Sequence, residues 1–171
     1  DILENGIIIY DSTLENIRVS DVITFDNDFK NRLENFLKSK NTEPTIKGML
    51  DFVAKNGVKI HPVSFRSLLT ELSEKLENPR IKNMTRMFNV LGVSLSLGLI
   101  KVPSEKLTES VNSIFSKKKS IAEINVSAAN FAYNYASAKF QNNNFKFMVK
   151  DVKDKTILVQ GHYGTSIGKI I

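Results

Sequence analysis

The chain has no cysteine. That absence excludes disulfides, thiol catalysis, and cysteine-ligated zinc or iron–sulfur clusters within these residues. It fits a reducing compartment, and a cytoplasmic setting is expected. Histidine is scarce: His61 and His162 are the only two. No apolar run approaches the ~18 residues that a membrane-spanning helix needs. The carboxylates form no H-E-x-x-H, EF-hand or D-x-D pattern, so no metal ligand is assigned. No G-x-S-x-G nucleophile motif and no internal repeat occur.

What is present suits an ordinary globular protein: 171 residues, 42% hydrophobic and 25% charged. The net charge of +6 leaves room for nucleic acid, an anionic cofactor or a lysine-rich surface. Aromatics do not interleave with Arg and Lys in a stacking pattern, which argues against nucleic acid. The densest cationic run, Lys117-Lys118-Lys119, follows an apolar helical pattern and reads as charge complementing a helix C-terminus.

Ile7-Ile8-Ile9-Tyr10 reads as a strand buried on both faces, as in a parallel sheet. Val22-Ile23-Thr24-Phe25 is a second strand candidate, and Asp26, Asn27 and Asp28 offer N-cap chemistry for a helix with Phe29, Leu33, Phe36 and Leu37 on one face. Pro44 suits the first turn of the next helix, which Asn56-Gly57 stops. Residues 58–63 follow as a strand whose end Pro62 places at an edge. A helix then carries Leu68, Leu69, Leu72 and Leu76, and Asn78-Pro79 restarts it. Residues 84–100 are apolar nearly all round, which predicts a buried central helix, with Gly92, Ser94, Ser96 and Gly98 allowing close backbone approach. Ser104 is expected to cap a further helix and Asn125 to open the last. Residues 141–156 read as a linker, and residues 157–160 as a strand leading into a glycine turn.

Candidate sites are sparse. His61, at a strand end, reads as a packing residue. His162 lies in the glycine turn with no partner in sight. Asp11-Ser12-Thr13 stands at the carboxyl end of a parallel strand, where ligands bind, but cap chemistry accounts for it. Gly161-x-x-Gly164-x-x-x-Gly168 matches neither dinucleotide nor Walker spacing, and close packing explains it better. Arg80, Lys82 and Arg86 could receive an anion, or form a solvated first turn.

Several of these runs together resemble the γ-type domain of 2-oxoacid:ferredoxin oxidoreductases. They are Asn89 with Leu91-Gly92, Leu97-Gly98-Leu99, Phe115, and Asn125 with Ala128, Ala132 and Tyr133. Residues 159–168 resemble the opening of the family's α domain, with His162 in place of the usual Asn and Thr165 among the usual alanines. Ile7 to Ser12 is similar to a mid-domain strand; residues 14–56 look like an insertion. The resemblance implies an α/β fold with a parallel-type sheet, flanking helices and a helix-rich C-terminal half. It implies a γ-type domain over residues 1–140, a linker over 141–156 and the start of the thiamine-diphosphate-type α domain over 157–171. The parent would be a fused α subunit. With its β subunit it would oxidatively decarboxylate a 2-oxoacid using thiamine diphosphate and Mg2+, pass electrons through a [4Fe-4S] cluster to ferredoxin, and form an acyl-coenzyme A. No catalytic, cofactor or metal residue carries over onto this chain, which is expected to be inactive alone, a scaffold and subunit interface near the coenzyme A path. A non-enzymatic α/β interaction module and a basic nucleic-acid-binding domain are the alternatives.

Overall fold

The computed structural model describes residues 6–140. Strands β1 (Ile7–Asp11) and β2 (Lys59–Val63) pair in parallel, with Ile7 opposite Lys59 and Asp11 opposite Val63. Parallel pairing demands a long crossover. Here it carries helices α1 (Asn27–Ser39) and α2 (Ile46–Lys55). After β2 come α3 (Phe65–Lys75), α4 (Phe88–Leu99), α5 (Ser104–Ile114) and α6 (Lys119–Lys139). The fold is the α/β arrangement expected, with a helix-rich C-terminal half.

Local chemistry sets most boundaries. The Asp26 carboxylate accepts from the Phe29 amide at 2.7 Å and opens α1. Thr45 caps α2 through the Gly48 amide, so Pro44 lies outside the helix rather than in its first turn. Gly57, at φ 86°, makes the left-handed exit from α2 that other residues resist. Ser64 caps α3 through the Ser67 amide.

The main core lies where α3, α4 and α6 meet the sheet. Leu69, Leu91, Leu95 and Ala132 are fully buried there, with Ile7 and Ile9 of β1 packed against them. α4 crosses α6 at very short range. A Cβ on Gly98 would collide with the Tyr133 carbonyl oxygen and sit 3.1 Å from the Ala136 Cβ. The Ser137 hydroxyl donates to the Gly98 carbonyl at 3.1 Å, and Tyr133 Oη donates to the Val102 carbonyl at 2.7 Å. A second cluster, Leu107, Val111 and Ala129, joins α5 to α6.

Several expectations need correction. Residues 22–25 form no strand; Ile23 is 95% exposed. β-propensity there meets no partner strand, and the chain is instead anchored by buried Val19 and a bridge from Arg18 to Thr45. β1 is only half-buried, because β2 is its one partner among the described residues. Asn78-Pro79 does not restart a helix: two 3-10 turns, Ile81–Asn83 and Thr85–Met87, precede α4. α4 is not enclosed on all sides, since Asn89, Val93 and Ser96 face outward. Ser104 is the first residue of α5, not its cap. α6 starts at Lys119, and Asn125 lies buried inside it, its amide nitrogen donating to the Ile121 carbonyl at 2.8 Å. The expected linker and the strand at residues 157–160 lie outside the described residues.

Candidate functional site

The early start of α6 relocates the cationic run. α5 ends at Ile114, whereas Lys118 is the N-cap of α6 and Lys119 its first residue. These lysines therefore stand at the positive end of a helix dipole, where anions and not cations are favoured. No side chain caps that first turn, and it holds no acidic residue. The reading of the run as a C-terminal complement fails.

The same turn forms one wall of a cleft of about 610 Å3. Met84, Arg86 and Met87 line the opposite side, and Ile114, Phe115, Ile121 and Asn125 complete it. Two basic groups that the sequence keeps apart, Arg86 and Lys117-Lys118, thus share one cavity. No carboxylate lines it. The ion pairs among the described residues lie elsewhere, at Lys38–Glu34, Lys47–Asp51 and Lys106–Glu109. Cations without counter-ions, an uncapped helix start and an apolar floor together suit an anion with an apolar body.

The remaining candidates take other places. Lys82 lines a separate hollow with Glu74 and Glu77, and the Arg80 amide donates to the Asn78 side chain. Neither joins the cleft. Asp11 is a cap: its carboxylate accepts from the Thr13 amide at 3.1 Å. His61 packs its ring against Phe140 at 4.3 Å between centroids. Its Nε2 is buried with no hydrogen-bond partner, and burial together with Lys59 holds its pKa below the ordinary value. It faces the core and not the cleft. On the other face of the sheet, Tyr10 donates to Glu15 at 2.6 Å; burial and that carboxylate push the phenol far up. His162 and the glycine turn lie outside the described residues.

Among the described residues no group of three or more His, Asp or Glu could hold a metal ion, and the chain has no cysteine for an iron–sulfur cluster. No described helix is long and apolar enough to cross a membrane.

Fold and cleft together define an α/β unit in which Arg86, Lys117 and Lys118 gather at one cavity. The chain belongs to the pyruvate ferredoxin/flavodoxin oxidoreductase family, whose pattern it matches over residues 1–135. Among its relatives is 2-oxoacid:ferredoxin oxidoreductase 1, subunit alpha, of Sulfurisphaera tokodaii, 25% identical over 164 residues, covering 96% of this chain and 25% of the relative. A second is 2-oxoacid:ferredoxin oxidoreductase 2, subunit alpha, of Aeropyrum pernix, 24% identical over 172 residues, covering 100% of this chain and 27% of the relative. The chain thus spans about a quarter of the length of the curated relatives it matches.

Proposed function

We propose that this chain is part of the α subunit of a cytoplasmic 2-oxoacid:ferredoxin oxidoreductase, assembled with a β subunit. The complex would convert a 2-oxoacid and coenzyme A to acyl-coenzyme A and carbon dioxide, with ferredoxin taking the electrons. Thiamine diphosphate, Mg2+ and the iron–sulfur cluster would be held elsewhere; the chain has no cysteine for a cluster, and among the described residues no group of three or more His, Asp or Glu could hold the metal ion. Residues 1–140 would form the γ-type domain, 141–156 a linker, and 157–171 the opening of the α domain. The segment would act as scaffold and subunit interface, inactive by itself.

The observation that carries a more specific role is the cleft. Arg86, Lys117 and Lys118, unpaired over an apolar floor, suit the phosphates of coenzyme A approaching along this wall. The test is the triple variant Arg86→Gln/Lys117→Gln/Lys118→Gln in the assembled enzyme. Exposed charge contacts contribute about 0.5 kcal/mol each, so the KM for coenzyme A should rise roughly tenfold. The kcat at saturating coenzyme A should hold, and the salt dependence of that KM should flatten. An unchanged KM and salt slope would remove coenzyme A from the cleft. A rise in the ferredoxin KM alone would reassign the cations to protein docking. Nucleic acid is not the proposed ligand, and micromolar binding in mobility-shift assays at physiological salt would overturn that choice.

A further inference from the structure

We infer that Asn56 is a site of spontaneous deamidation, that the C-terminal turn of α2 holds it in check, and that its conversion loosens the join between α2 and β2. The sequence holds two Asn-Gly pairs, at residues 5–6 and 56–57. In such a pair the glycine amide nitrogen attacks the side-chain carbonyl carbon of the asparagine. The new N–Cγ bond closes a cyclic imide, the Cγ–NH2 bond breaks, and ammonia leaves with the glycine N–H proton. Water then opens the ring, giving aspartate or isoaspartate. Glycine permits the attack best because no Cβ shields its nitrogen. Every other described Asn is followed by a residue with a side chain.

Asn56 and Gly57 are both exposed, so water and base reach them. The turn nevertheless engages both reacting groups. The Gly57 amide donates to the Ala54 carbonyl at 3.1 Å, which holds the proton that must leave before attack. Asn56 Nδ2 donates to the Phe52 carbonyl at 2.9 Å, which ties the side-chain amide back onto the helix. The Val58 amide closes the turn on the Val53 carbonyl at 3.3 Å. Attack therefore requires the turn to open, and the product cannot rebuild it. A carboxylate has no proton for the Phe52 carbonyl, and it puts negative charge at the negative end of the helix dipole. Isoaspartate also lengthens the backbone by a methylene between the helix and the Gly57 and Val58 amides. Val58 is buried and leads directly into β2, so the damage falls on the join.

The chemistry does not depend on the proposed activity, and the test needs no substrate. Peptide mapping by mass spectrometry follows Asn56 in the assembled enzyme and in the same polypeptide unfolded in urea, both at mildly alkaline pH. Asn5-Gly6 in the unfolded chain calibrates the intrinsic rate. Unfolded, Asn56 should convert as fast as Asn5. Folded, it should convert at least roughly tenfold more slowly, and faster as urea rises below the unfolding transition, as local opening requires. Equal rates in the folded and unfolded protein overturn the inference. So does an unfolded chain in which Asn5 converts and Asn56 does not, or a folded enzyme in which urea below the transition never releases conversion. The consequence is read from hydrogen exchange of the Val58 amide in Asn56→Asp and Asn56→Ala, which both lose the bond to Phe52. Exchange should be roughly threefold faster in the Asp variant at low salt, and the gap should close at high salt. Equal exchange at low salt refutes the loosening.

Discussion

Alanine at Gly98 and alanine at Gly92 should move stability in opposite directions, although both glycines sit in the same helix. Alanine is the better helix former by about 1 kcal/mol, so propensity alone predicts two gains. Packing separates them. A methyl group on Gly92 meets only the Phe65 ring, at 3.7 Å, an ordinary contact. A methyl group on Gly98 strikes the Tyr133 carbonyl oxygen and comes to 3.0 Å from the Tyr133 Cα. Those are backbone atoms of α6, so no rotamer change relieves the clash, and the two helices must separate. Forced repacking of this kind costs about 3 kcal/mol, the upper end of the usual range. It also stretches the Ser137 hydrogen bond to the Gly98 carbonyl. The net expectation is a loss of roughly 2 kcal/mol for Gly98→Ala, or about 6 to 8 °C in thermal midpoint for a domain of this size. Gly92→Ala should gain about 3 °C by the same scale. Thermal unfolding followed by circular dichroism at 222 nm measures both. A Gly98→Ala midpoint equal to or above the parent would refute the close α4–α6 crossing.

Acid should weaken the fold through His61. Its pKa is held below 6.5 in the folded state, so the unfolded chain binds the proton more readily. Stability is fully present above pH 6.5 and declines as pH falls from there toward the lowered folded pKa; His61→Phe should flatten that part of the profile in denaturant titrations. Leu91, fully buried in α4, should not tolerate a carboxylate. Leu91→Asp should unfold the chain, since burying an unpaired charge costs several kcal/mol, and an unchanged midpoint would contradict its place at the centre.

Signals that reside in a few adjacent residues were readable in the sequence. Asp26 before a helix, Gly57 after one and Ser64 before the next behave as their local chemistry dictates. The leucine stripe of α3 finds the core, except that Leu76 becomes the C-cap and is 40% exposed. Signals that need a partner were misleading. Val22-Ile23-Thr24-Phe25 has strand composition but no strand beside it. Asn125 has cap chemistry, yet Ile121, Ala122 and Ile124 before it already continue the helical period, and that spacing could have moved the start of α6 upstream. The cleft depended on this error: with α6 begun too late, Lys117-Lys118-Lys119 looked like the tail of one helix instead of the head of another. Its union with Arg86 is a tertiary fact that no local pattern contains.

The crossover between the strands has a kinetic consequence. Joining β1 to β2 means closing a loop of roughly 45 residues, and closure entropy grows with the logarithm of loop length. The stretch is tied shut near its base. The Lys47 amide donates to the Glu15 carbonyl, the Ile46 amide to the Ile17 carbonyl and the Val19 amide to the Pro44 carbonyl. Once those bonds form, the slack left between the strands is about 15 residues, a saving of about 1 kcal/mol in closure entropy. The hairpin-like neck lets the intervening helix change in length or sequence while the sheet feels a short tether. Trimming α1 should therefore leave the rate of sheet formation nearly unaltered, whereas cutting the neck hydrogen bonds should slow it.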